Sequence, residues 1–212
     1  MQIAILLYDR FTALDAIGPY EVLSRLPGAE LSFVAAEPGP ITTDTRILTI
    51  AVERSLEDVP SPDVLLIPGG PGEDVLRDDR VLDWVRKAHE TSTWTTSVCT
   101  GSLVLARAGV LDGKRATSHW LALARLRELG AEPVEGERIV EDGKIVTAAG
   151  VSAGIDMALH LAGRIAGEEV AQTIQLYIEY DPQPPFDAGS PAKAPADLVA
   201  RTRAASRFAL AR

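Results

Sequence analysis

The chain has a single cysteine, Cys99. An internal disulfide is therefore excluded, and so is a structural zinc site built from cysteine sets. Clusters of basic residues are also missing: lysines and arginines are scattered or alternate with acids, and the net charge is −9. Phosphate backbones are bound by clustered Lys and Arg, so a nucleic-acid surface is not expected. No apolar run approaches the roughly 20 residues that cross a bilayer, so no membrane partner is expected. The first residues carry neither a basic leader nor a small-residue cleavage site. The expectation is a cytoplasmic protein. No internal repeat, low-complexity block or domain linker is seen, and an added helix-turn-helix module is not expected.

What is present is an alternation of strands and helices. Residues 2–8 are almost wholly apolar, as strands covered on both faces are. Residues 13–26 place Leu14, Ile17, Val22, Leu23 and Leu26 at helical spacing, stopped by Pro27-Gly28. Further strands are expected over 31–36, 63–67, 94–98 and 115–117, and a hairpin or edge excursion over 41–52. Helices are expected over 79–90, 103–108, 120–129, 152–165 and 168–180. Asp142-Gly143 marks a tight hairpin between 138–141 and 144–148. Residues 181–195, rich in Pro, Gly and Ala, read as loop, and the tail from 197 as helix. This pattern specifies one α/β domain over residues 1–212, with a mainly parallel central sheet between two helical layers. The segment 181–212 is expected to pack on the domain or on a dimer interface.

In such sheets ligands gather at the carboxyl ends of the strands. Asp15, the glycine loop at 69–72 and Cys99 all fall there. Cys99 follows a strand and precedes a helix, where free N–H groups and the helix dipole favour a thiolate. A depressed Cys99 pKa is therefore expected. Glycine backbone at 69 and 70 can approach closely and offer N–H groups to a developing negative charge. By spacing alone, a buried structural cysteine is an equal reading. Taken alone, Asp15 reads sooner as a surface acid of the first helix than as a site residue. His119 and Trp120 line a pocket or simply pack, Ser152 caps a helix, His89 lies on the surface and His160 in the core. Glu21 is the one rival acid near Asp15.

Taken in order, several motifs resemble the DJ-1/PfpI superfamily. They are Leu14-Asp15 with Gly18-Pro19-Tyr20-Glu21-Val22, Pro68-Gly69-Gly70, Ser97-Val98-Cys99-Thr100-Gly101-Ser102, Thr117-Ser118-His119-Trp120 and residues 175–191. Within that superfamily they are most similar to the isonitrile hydratase branch. The resemblance implies a flavodoxin-like three-layer sandwich with a nucleophile elbow, a homodimer, a small-molecule substrate, and no metal or organic cofactor. It implies Cys99 as nucleophile, Asp15 as its acidic partner, and Gly70 and Thr100 as backbone donors. Gly69, His119 and Trp120 are pocket-lining candidates. Protease-like members carry His after the nucleophile; Thr100 stands there, which argues against a peptidase. The implied reaction is attack of Cys99 on the isonitrile carbon to a thioimidate, with Asp15 shuttling protons. A redox-sensing or non-catalytic protein, and glyoxalase-like chemistry on small carbonyl electrophiles, are the alternatives.

Overall fold

A computed structural model describes residues 1–206. The central sheet has seven strands. In chain order they are β1 (Gln2–Leu6), β2 (Glu30–Ala35), β5 (Arg54–Ser55), β6 (Val64–Ile67), β7 (Trp94–Val98), β10 (Ile139–Asp142) and β11 (Ile145–Ala148). Their spatial order is β10-β11-β7-β6-β1-β2-β5. All neighbours are parallel except the β10–β11 hairpin at one edge. A second hairpin, β3 (Gly39–Thr42) with β4 (Thr49–Val52), stands apart from this sheet. So does the short pair β8 (Arg115–Ala116) and β9 (Glu132–Pro133).

The period-2 alternation of the strands sorts the core into two layers. Ala4, Leu6, Leu65 and Ile67 face one side, packed by α2 (Asp79–Thr91), α3 (Gly101–Arg107) and α4 (Leu123–Glu128). Ile3, Ile5, Val64 and Leu66 face the other, packed by α1 (Ala13–Leu23), α5 (Ala153–Ala166) and α6 (Glu168–Tyr177). This is the layered sandwich expected from the alternation, in the flavodoxin-like form that the resemblance implied. Among the described residues no helix is long and apolar enough to cross a membrane.

Some local expectations change. The helix expected over 13–26 ends at Leu23, and the strand expected at 115–117 pairs with β9 rather than joining the main sheet. Ser152 itself has helical backbone angles and makes no cap; its hydroxyl instead accepts from Arg138, 3.1 Å away. His160 is exposed and pairs with Glu141, because its turn of α5 faces away from the sheet. His89 is half-buried and bonds the Thr95 hydroxyl. Residues 181–195 are irregular as expected, and α7 (Ala196–Ala204) follows with no buried residue. The last part of the expected tail, 207–212, lies outside the described residues.

Candidate active site

Cys99 is the first residue after β7 and the second before α3, and it carries the turn in its own backbone. Its φ is 57°, a left-handed conformation that costs a non-glycine residue about 1 kcal/mol or more. Surrounding bonds hold it there. The Cys99 N–H donates to the carbonyls of Ala148 and Ala149, both at 3.1 Å. The Cys99 carbonyl accepts from two hydroxyls, Ser118 at 3.0 Å and Ser102 at 3.2 Å. Gly101 serves by close approach: a Cβ there would lie 2.1 Å from the Ile67 carbonyl oxygen. This is the strand-turn-helix elbow that the resemblance implied.

Asp15 comes from the first turn of α1 and is fully buried. One oxygen, Oδ2, accepts from the Gly69 N–H at 2.9 Å. The other, Oδ1, is buried without an N–H or O–H partner. The Cys99 thiol lies against this carboxyl, and each group shifts the other's pKa. Three segments remote in sequence thus meet: α1, the glycine loop and the elbow. The order β7-β6-β1 makes this so, since these three strands are neighbours and all end on the same side.

Burial dominates the electrostatics. It raises the Asp15 carboxyl to about 7, against the pull of the Gly69 N–H and the thiol. It also pushes the Cys99 thiol up to about 12, with the Asp15 charge adding to the effect. The Thr100 and Val151 N–H groups pull the thiol down, but by less. The depressed Cys99 pKa expected from the sequence is therefore overturned. Only 6% of the residue is exposed, and two peptide N–H groups cannot replace the water that an isolated thiolate loses. As pH rises the pair first loses one proton, near the Asp15 value; the proton that remains stays on sulfur, and the thiol donates to the carboxylate.

The other candidate residues fall around this pair. Thr100 supplies an N–H to the sulfur, and its hydroxyl bridges the glycine loop. The Gly70 N–H is committed to that hydroxyl at 2.9 Å. Gly69 donates to Asp15, and its Cα faces Thr100 and Asp15 so closely that a Cβ has no room. His119 packs against Gly150, stacks on Trp120 and accepts from the Leu121 N–H. The Trp120 ring in turn lies under the Arg203 guanidinium of α7, 5.1 Å away. Glu21 is exposed and pairs with Arg25. Two contributors had no role assigned from the sequence: Val151, whose N–H reaches the sulfur, and Ser118, which stands in one of the family-like motifs and holds the elbow carbonyl. Each comes from a segment whose approach only the folded sheet creates. Two surface cavities, of about 690 and 370 Å³, lie at the ends of β1 and β2 and along α1, α5 and α6; Cys99 lines neither.

Comparison with known proteins agrees with this fold. The model of the DJ-1/PfpI family matches residues 1–164. A Pseudomonas putida protein named isonitrile hydratase is 45% identical over 99% of this chain and 92% of its own length. The Pseudomonas aeruginosa HTH-type transcriptional regulator GbdR is 30% identical over 84% of the chain, which spans only 50% of that regulator. Among solved structures, a ThiJ/PfpI family protein from Pseudomonas syringae superposes with a TM-score of 0.92 at 37% identity, covering 95% of this chain and 84% of its own. The match to the family model, the near-full-length relatives and the cysteine elbow agree: the chain belongs to the DJ-1/PfpI family.

Proposed function

We propose that this chain is a cysteine-dependent hydro-lyase that adds water to isonitriles and releases N-substituted formamides. The observation that carries the reading is the buried Cys99–Asp15 pair, in a chain so similar along its length to the relative named isonitrile hydratase.

The chemistry needs a nucleophile and one group that can take and return a proton. Cys99 sulfur attacks the isonitrile carbon. Asp15 receives the thiol proton as the S–C bond forms and passes it to that carbon, leaving a thioimidate, R–N=CH–S. Asp15, again a carboxylate, then draws a proton from water as its oxygen adds to the same carbon. That proton goes to nitrogen, the C–S bond breaks with its electron pair on sulfur, and the hydroxyl proton of the adduct, the second proton of the water, passes through Asp15 to sulfur. The sum is R–NC plus H2O giving R–NH–CHO. An Asp15 value near 7 suits a group that must both accept and donate near neutral pH. In this scheme the N–H groups of Thr100 and Val151 stabilise charge on sulfur. The buried, high-pKa thiol speaks against the redox-sensor alternative, because oxidation follows exposed thiolate.

The chain acts, in this reading, as a cytoplasmic homodimer on a small-molecule substrate. Leu176, Tyr177 and Phe186 are 79%, 75% and 80% exposed, and the arm from 181 through α7 buries nothing of its own, which supports a partner chain over these surfaces. The test is a panel of alkyl and aryl isonitriles, with formamide followed by mass spectrometry. Wild type is expected to form it, Cys99→Ala to form none, and Asp15→Asn to lose most activity while staying folded. Absence of formamide from reduced wild type across the panel rejects the assignment.

A further inference from the structure

Asp15 lies just beyond the loop that meets the β3–β4 hairpin. The Arg10 N–H donates to the Thr42 carbonyl at 2.8 Å and the Asp44 N–H to the Phe11 carbonyl at 3.0 Å. Phe11 and Thr43 form an isolated parallel bridge. A side-chain bond completes the junction. Thr12 is the N-cap of α1, where a hydroxyl ordinarily turns back to the free N–H groups of the first turn. It makes no such bond. Instead it donates to Asp44 Oδ2 at 3.0 Å, while Asp44 Oδ1 accepts from the Thr45 N–H at 2.8 Å. Both oxygens of a half-buried carboxylate are thus held in place at the head of the helix that carries Asp15.

We infer that Asp44 is a positioning residue for the Cys99–Asp15 pair: it fixes the start of α1 through Thr12 and holds a negative charge beside the Asp15 carboxyl. The inference rests on the reading of Asp15 as proton carrier. Asp44 is among the groups that raise the Asp15 pKa, after burial. The other groups that act on Asp15 are the Cys99 thiol from the elbow and the Gly69 N–H from the glycine loop. Helix α5 packs on α1, but its charged side chains are engaged elsewhere: Asp156 with Arg138 and the Tyr180 hydroxyl, His160 and Arg164 with Glu141. Arg46, two residues along the chain, and Arg10, whose N–H bonds the Thr42 carbonyl, are the cations at this junction, and among the described residues neither forms an ion pair with Asp44. The Asp44 charge is not neutralised by an ion pair among the described residues, and it favours the protonated Asp15 carboxyl. Proton return to the substrate is the step it serves.

The test follows the rate of Cys99 alkylation by iodoacetamide against pH, with isonitrile hydration measured in parallel. The alkylation profile reports the titration of the pair without needing any substrate. Asp44→Asn keeps an oxygen for Thr12 but removes the charge; its midpoint near neutral pH is expected to fall by about 0.3 to 1 unit. Asp44→Ser, smaller and still able to accept from Thr12, is expected to move it the same way. Thr12→Val keeps the charge, so its midpoint stays while kcat falls. If both Asp44 variants keep the wild-type midpoint while Asp15→Asn removes it, the role of Asp44 is overturned alone. A midpoint that survives Asp15→Asn overturns the inference together with Asp15 as proton carrier. Shifted alkylation with no hydration in wild type supports Asp44 and rejects only the hydratase assignment.

Discussion

Replacing Asp15 by Asn is expected to make the protein more stable at neutral and alkaline pH while it disables the chemistry. The folded-state pKa of Asp15 is raised from 3.8 to about 7. A raised acid binds its proton more tightly in the folded state than in the unfolded one. Its contribution is therefore fully present below the unfolded value and is lost as pH rises through the folded one. A shift of this size, about three units at 1.36 kcal/mol each, is worth about 4 kcal/mol in all. Unfolded carboxylates are already ionised in large part at pH 5, so about 2.5 kcal/mol of the loss falls between pH 5 and pH 8. Asparagine does not titrate, and its oxygen can still accept from the Gly69 N–H. The assay is denaturant or thermal unfolding of wild type and variant at both pH values, read as the difference between proteins at each pH. The variant should gain on wild type by about 2.5 kcal/mol across that interval, or roughly 5 to 10 °C in Tm for a chain of this length. A difference that stays constant within about 0.5 kcal/mol would mean that Asp15 ionises as it does in water. Its place as a buried proton carrier would then be lost.

Other outcomes follow from the same contacts. Cys99 should react more slowly with iodoacetamide at pH 7 than a free cysteine does, since burial and Asp15 push its pKa up to about 12; a rate at pH 7 equal to or above that of a free thiol contradicts the burial argument. Ser118→Ala should cost about 1 kcal/mol in unfolding free energy through one lost bond to the Cys99 carbonyl, and should lower kcat more than it raises KM; an unchanged kcat denies the hydroxyl a part in holding the elbow. Gly101→Ala places a methyl 2.1 Å from the Ile67 carbonyl oxygen, so loss of soluble protein or destabilisation beyond about 3 kcal/mol is expected; wild-type stability refutes the close-approach account.

The layers and most strands were legible because apolar runs and their period-2 alternation report directly on burial between two helical faces. Ile3 against Ala4 and Val64 against Leu65 fall to opposite layers as that period requires. Cys99 and Asp15 were legible through the motifs around them. Less was legible where a tertiary contact overrides a local preference. Thr12 and Ser152 stand where hydroxyls cap helices, yet each bonds a distant partner, Asp44 and Arg138. His160 sits in a helix that packs on the core, but on its outward face. Nothing near Ser118 or Val151 in sequence says that each will reach the elbow.

The reversal of the Cys99 pKa has a wider physical lesson for this site. An elbow read from sequence supplies helix N–H groups, and these lower a thiol's pKa; it says nothing of the water those groups displace. Here α1 and the start of α5 close over the sulfur, and the nearest charged group is an acid. A preformed thiolate beside an ionised carboxylate would be two like charges with almost no solvent, a state that Coulomb repulsion and desolvation both oppose. Two protons at acid pH, and one above the Asp15 value, are what the geometry favours. In the proposed mechanism, reactivity comes from moving that proton during attack rather than from storing charge on sulfur beforehand. Under that mechanism the carboxyl is needed in a way that it would not be beside a stored thiolate, and the loss of activity expected of Asp15→Asn is its test. It also means that whatever sets the proton affinity of Asp15 (its burial, the Gly69 N–H, the Asp44 charge) sets the pH at which Cys99 can act.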